Sequence, residues 1–122
     1  MSETKQSTDN VKEKDWGYEL TWAKKENYGA KIYVFQKPGK TPFVMNLQTA
    51  KSYFVNAGVF QFRWIDKDGK IFQSEVKEGA VLECLPATPY SLECTTSNGS
   101  VTEANSGHIE NDERVVITTD RF

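Results

Sequence analysis

A chain of 122 residues with a net charge of −2 and a pI near 5.4 is long enough for one packed core, and it lacks the basic face that a nucleic-acid partner requires. No apolar run approaches the roughly 18 residues of a membrane span. Aromatic residues make up 12% of the chain, a share that suits a β core or a walled pocket.

The chain opens on a polar stretch, Met1 to Lys14, with Val11 as its one β-branched apolar residue. Residues 1–13 are expected to form a disordered polar tail and residues 14–122 the folded domain. The stretch has no apolar core of a secretory leader, so cytoplasmic residence is expected. Folding begins at Asp15–Trp22, whose Trp, Tyr and Leu suit a strand or an arm laid across a sheet. Lys24 to Gly29 reads as a loop. Ala30 to Gln36 alternates, with Ile32 and Val34 on one face and Lys31, Tyr33 and Phe35 on the other.

Pro38-Gly39 is a turn. In the next strand Phe43, Met45 and Leu47 share a face opposite Val44, Asn46 and Gln48. Tyr53-Phe54-Val55 resumes the sheet and Asn56-Ala57-Gly58 turns it. Val59 to Ile65 has the clearest period of a half-buried strand, Phe60, Phe62 and Trp64 alternating with Gln61 and Arg63. Asp66 to Gly69 is hairpin chemistry leading into Ile71–Val76. Lys77-Glu78-Gly79 turns the chain into Val81–Leu85. Pro86 and Pro89 make a corner, because prolines cannot sit in a central strand. Tyr90, Leu92 and Cys94 alternate beyond it, Asn98-Gly99 turns, and Val101–Glu103 adds a short strand. Asn105–Glu113 is a polar loop before a last strand at Arg114–Thr118. No amphipathic helix is predicted. Short strands at this spacing indicate an all-β single domain, a sandwich or barrel.

Cys84 and Cys94 read as two buried free thiols, since a reducing compartment disfavours their pairing even on neighbouring strands. His108, the single histidine, sits in a polar segment and reads as a solvated loop residue. Tyr33, Tyr53 and Tyr90 could converge with Lys31, Lys51, Arg63, Glu83 and Glu93 at a barrel mouth. There the aromatic faces would stack on a sugar ring, and Lys51 or Arg63 would meet a carboxylate or phosphate. Glu83 and Glu93 fall on strands expected to be neighbours, and surface charge is the plainer account of both. Asn98-Gly99-Ser100 matches a glycosylation acceptor but serves here as a turn.

The run Asp15-Trp16-Gly17-Tyr18-Glu19, then Lys31-Ile32, Pro38-Gly39, Pro86 with Tyr90-Ser91-Leu92-Glu93, and finally Asn111-Asp112-Glu113 and Asp120-Arg121, resembles the mannose-6-phosphate isomerase-like cupins over residues 14–121. In that family the corresponding pieces are Pro-Trp-Gly-Tyr-Glu, a Lys/Arg-Ile strand, a Pro-Gly turn, a Pro-x-Gly corner with His-Arg-Leu-Glu, and an acidic tail. The resemblance implies a cupin-type double-stranded β-helix, a jelly-roll barrel.

It also implies a metal held by two His and a Glu from the first motif and a His from the second. Here the His-x-His pair falls within Val44 to Gln48, the Glu on Lys51 or Ser52, and the third His on Tyr90 or Ser91. Neutral amides and a lysine are poor company for a divalent ion, so no metal and no cofactor are expected.

The expected function is that of a metal-free, non-catalytic cupin domain that binds a small polar ligand such as a sugar or sugar phosphate. Candidate ligand contacts are Tyr33, Asn46, Gln48, Lys51, Tyr53, Arg63 and Tyr90. An alternative is a metal-independent sugar-phosphate isomerase or epimerase, with Tyr90 and Glu93 as proton-transfer groups and Arg63 and Lys51 holding the anion. Some cupin-like epimerases use a His base inside the barrel, but the resemblance puts His108 outside it. A further alternative is a protein-interaction module. By analogy a homodimer is expected, its arm carrying Trp16 and Trp22 across to the partner; neither nucleic acid nor membrane is an expected partner.

Overall fold

The computed structural model describes residues 10–117. Twelve strands follow one another: β1 (Val11–Lys14), β2 (Gly17–Lys24), β3 (Gly29–Phe35), β4 (Gly39–Lys40), β5 (Phe43–Asn46), β6 (Lys51–Ala57), β7 (Val59–Ile65), β8 (Ile71–Lys77), β9 (Val81–Cys84), β10 (Tyr90–Cys94), β11 (Gly99–Asn105) and β12 (Glu113–Ile117). Among the described residues no helix is long and apolar enough to cross a membrane.

The strands form two antiparallel sheets. One runs β1-β2-β3-β11-β6-β9; the other runs β12-β5-β10-β7-β8, with β4 also on β10. From β6 onward the chain passes back and forth between the sheets, so sequence neighbours often end in different layers. That winding is a jelly roll.

Side-chain alternation sets what lies between the sheets. On β7, Phe60 and Phe62 are buried while Gln61 and Arg63 take the other face. On β3 the inward face is that of Tyr33 and Phe35, and Ile32 and Val34 lie outside. Tyr90, Leu92 and Cys94 of β10 close the core from the second sheet. Phe35, Phe60, Val55 and Val101 are fully buried; each large apolar side chain of this kind contributes about 1.5–3 kcal/mol. Cys84 and Cys94 are both buried free thiols, and they belong to different sheets.

Several expectations change. The polar stretch 1–13 is not tail to its end, because Val11–Lys14 pairs in register with Gly17–Leu20. Its remaining part, residues 1–9, lies outside the described residues, as does Asp120-Arg121. The Pro38-Gly39 turn runs into a two-residue strand, β4, paired with Glu93 and Cys94. Glu83 and Glu93 are not on neighbouring strands: β9 pairs with β6 in one sheet, β10 with β7 in the other.

Trp16 packs into its own barrel. Its ring stacks on Phe35 within the same barrel, centroids 3.9 Å apart at 17°. Glycine is required at position 39 for this, since a Cβ there would lie 2.5 Å from the Trp16 Cβ. Trp22 behaves differently. The pairing of β2 with β3 slips between Thr21 and Ala23, leaving Trp22 as the extra residue of a bulge and 59% exposed.

Candidate functional site

The barrel interior is apolar at one end and polar at the other. On β6, Lys51, Tyr53 and Val55 point inward and Ser52 and Phe54 outward. On β11, Val101, Glu103 and Asn105 share the inward face. This places a lysine and a glutamate together between the sheets, with Lys51 7% and Glu103 0% exposed. Lys51 Nζ lies 3.7 Å from Glu103 Oε1 and 3.4 Å from Glu113 Oε2.

Glu103 is well supplied with donors. The Tyr33 hydroxyl donates to Oε1 at 2.6 Å, and Asn105 Nδ2 donates to Oε2 at 2.8 Å. Beneath lie Tyr53 and Tyr90, their hydroxyls 3.3 Å apart, and Lys51 Nζ stands 5.6 Å from the Tyr90 ring centre.

Burial sets the electrostatics of this floor. It is the largest influence on Lys51 and works to lower its pKa. The Glu103, Tyr90 and Glu113 oxygens outweigh it, and the net shift is upward. Lys51 is therefore a fixed ammonium and not a nucleophilic amine. Burial, helped by Glu103, drives the Tyr33 phenol well above its ordinary value. Burial pushes Tyr90 up to about 12, with Lys51 pulling the other way. Cys84 is likewise pushed up to about 12 by burial, only partly offset by Lys51, so its thiol stays protonated.

Above the floor, a cleft of about 680 Å³ opens at the end of the barrel, within the size range of small-molecule sites. Its walls include Glu19 and Trp22 of β2, Lys31 of β3, Asn46 of β5, Glu103 of β11 and the loop from Gly107 to Asp112. Four lysines and four carboxylates line it, several already paired: Lys31 Nζ is 3.0 Å from Glu19 Oε1, and Lys51 bridges Glu103 and Glu113.

Asp112 anchors one wall. Its carboxylate accepts from the Gln48 N–H at 2.9 Å, the Thr49 N–H at 3.0 Å and Asn46 Nδ2 at 3.2 Å. Burial works to raise its pKa, but these donors outweigh it and hold the carboxyl below its usual range. A carboxylate only accepts, so it fixes the Asn46 amide with nitrogen toward Asp112. Asn46 Oδ1, in a residue 7% exposed, then has no hydrogen-bond partner among the described residues. Gly107 lets the roof loop lie close, since a Cβ there would run into the Glu26 carbonyl.

The expected contact residues are thus divided. Asn46 and Lys51 line the cleft. Tyr33, Tyr53 and Tyr90 form the buried floor beneath it. Gln48 serves through its backbone, its side chain being exposed. Arg63 does not join them: it lies on the outer face of β7, its Nη2 2.8 Å from Glu93 Oε1 and its Nε 3.2 Å from Gln73 Oε1. Glu93 lies there too, on the opposite side of β10 from Tyr90, so Tyr90 and Glu93 cannot serve one reacting centre. His108 is an exposed loop residue, as expected, but its loop stands at the rim of the cleft, with Nε2 3.0 Å from Glu110 Oε1.

Glu103, Asp112 and Glu113 are not among the contact residues expected from the sequence. For Glu103 a sign was present: it alternates in phase with Val101 on a strand, a carboxylate on the core face. Asp112 and Glu113 match only the acidic tail of the family resemblance, and their polar segment gives no sign of a place in the cleft.

A divalent metal does not fit this interior. Among the positions that the family resemblance assigns to ligands, those facing inward are Val44, Asn46, Lys51 and Tyr90. None brings an imidazole or carboxylate, and Lys51 supplies a positive charge of its own. Among the described residues no group of three or more His, Cys, Asp or Glu is arranged to hold a metal ion. Titration calorimetry with zinc and with manganese is expected to show no stoichiometric site; one tight site would refute this.

No protein-family model matches the sequence, and none of the curated proteins does. Solved structures do resemble it. Oxalate decarboxylase from Bacillus subtilis superposes with a TM-score of 0.78 at 14% identity, covering 89% of this chain and 30% of that one. The capsular polysaccharide assembling protein CapF from Staphylococcus aureus gives 0.76 at 10% identity, covering 88% and 34%. Peruvianin-I, a cysteine peptidase from Thevetia peruviana latex, gives 0.68 at 13%, covering 76% and 58%. The chain spans about a third of the length of the first two. At such identities the likeness is one of architecture, and the architecture is that of a single cupin-type double-stranded β-helix.

Proposed function

We propose that this barrel is a metal-free, non-catalytic member of the mannose-6-phosphate isomerase-like cupins that receives a small polar ligand, such as a sugar or sugar phosphate, in the cleft above Lys51 and Glu103. The observation that carries the reading is the buried ion pair itself: a lysine ammonium held by Glu103 and Glu113 stands in the interior. A cleft of small-molecule size opens onto it. Catalysis by the expected groups is disfavoured. Tyr90, with its pKa near 12, is a poor base at neutral pH. Glu93 is engaged with Arg63 on the outer face.

The test is binding. Calorimetry with neutral hexoses and hexose phosphates is expected to give saturable binding that Asn46→Ala weakens about fivefold or more. Arg63→Ala, on the outside, should leave it unchanged. Absence of binding to every member of both sets would sink the reading. Turnover of a hexose phosphate without metal, abolished by Tyr90→Phe, would favour the isomerase instead.

The proposal includes a homodimer and cytoplasmic residence. The surface suited to self-association is the outer face of the first sheet. There Val11, Leu20, Ile32, Phe54 and Val81 fall in one transverse row, interrupted by Thr102. Val11, Phe54 and Val81 are each more than 40% exposed. Light scattering at micromolar concentration is expected to give twice the chain mass, and Phe54→Lys to halve it. A strict monomer in both would count against the dimer.

A further inference from the structure

Three features of the cleft remain unused by the fold: an exposed tryptophan at its wall, a buried amide oxygen without a partner, and a wall whose charges are balanced. Each restricts the ligand further. Trp22 is 59% exposed where Trp16 is 5% exposed and stacked on Phe35. Trp22 is the extra residue of the β2 bulge, and it is among the residues that line the cleft. An indole face in that position gives a flat apolar platform with a polar edge.

Asn46 Oδ1 contributes the second restriction. The Asp112 carboxylate fixes the amide orientation, so the unpartnered atom is an acceptor and calls for an O–H or N–H donor from the ligand. The third restriction is electrostatic. A phosphate is usually held by guanidinium or ammonium groups with donors to spare, or by clustered backbone N–H groups. Here the deepest lysine is shared between Glu103 and Glu113, and Lys31 is bound to Glu19. The backbone N–H groups of Gln48 and Thr49 are taken by Asp112. The four carboxylates on the same walls cancel the four lysines, so a dianion meets no net positive charge there. Hydroxyl groups, by contrast, donate to carboxylate and amide oxygens and accept from lysine without adding charge.

We propose that the cleft takes a neutral saccharide, one ring face stacked on Trp22 and a hydroxyl donated to Asn46 Oδ1, and that it discriminates against sugar phosphates. This rests on the ligand-binding reading above and narrows it. The test is a titration of the full chain with neutral hexoses, hexose phosphates and inorganic phosphate, followed by calorimetry and by tryptophan fluorescence. It is repeated with Trp22→Ala and Trp22→Phe. Trp22 is exposed, so both variants are expected to fold with an unchanged denaturation midpoint.

The expected result is binding of at least one neutral hexose at least tenfold tighter than its phosphate. Trp22→Ala should weaken it about tenfold or more, and Trp22→Phe should restore most of the loss. Preference for the phosphates would overturn the inference while leaving the ligand-binding reading intact. Equal affinity of Trp22→Ala and the parent for a neutral hexose would overturn the platform. No binding of any compound would remove both.

Discussion

Lys51→Met is expected to destabilise the barrel by about 3–5 kcal/mol, because it removes one partner of a buried ion pair and strands the other. Glu103, fully buried, would keep only the donors from Tyr33 and Asn105 against its charge. Urea denaturation at pH 7 measures the loss, and in a thermal scan it corresponds to a fall of about 10–20 °C. The double variant Lys51→Met with Glu103→Gln should recover at least half of the stability, since removing both charges also removes their desolvation cost.

The pH dependence has a definite sign. The folded pKa of Lys51 lies above its ordinary value, so its contribution is fully present below the unfolded pKa of about 10.4. It is lost only as pH rises through the still higher folded value. The gap between parent and Lys51→Met should therefore stay constant from pH 6 to 9. A Lys51→Met protein as stable as the parent would show that the pair contributes nothing.

Asp112 supports the second large effect. Its carboxylate accepts from two backbone N–H groups and from the Asn46 amide, and the Leu47 N–H bonds to its main-chain oxygen at 3.0 Å. Asp112→Ala abandons three donors at a wall of the cleft, a loss of about 2–4 kcal/mol. Asp112→Asn keeps the shape but not the charge, and should cost about 1–2 kcal/mol.

The depressed pKa of Asp112 means its contribution is present above the unfolded value of about 3.9. It fades as pH falls through the lower folded value. The stability gap between parent and Asp112→Asn should be constant from pH 5 to 8 and close in stronger acid. A gap that instead grows in acid would show that the charge is not what matters. Because Asp112 also orients Asn46, Asp112→Asn is expected to weaken ligand binding at pH 7 even where the protein is fully folded. Asp112 is in this sense a positioning residue.

The sequence by itself determined the class of fold. The alternation of Phe60, Phe62 and Trp64 with Gln61 and Arg63, the hairpin at Asp66–Gly69 and the prolines at 86 and 89 are local patterns, and a strand's two-residue period carries them directly. The structure follows them closely. What only the tertiary structure decided was which side of each strand is inside and which strands adjoin. Tyr33 rather than Ile32 faces the core, Asn46 rather than Met45 faces the cleft, and Arg63 and Glu93 meet each other on the outside.

The period fixes two faces but does not label them, and a chain that alternates between two sheets separates residues that sequence spacing would join. Lys51 and Glu103, 52 positions apart, meet because β6 and β11 pair in a register that sets Tyr53 opposite Glu103 and Lys51 opposite Asn105. No local pattern states that register; it follows from burying the inner faces of both sheets against each other.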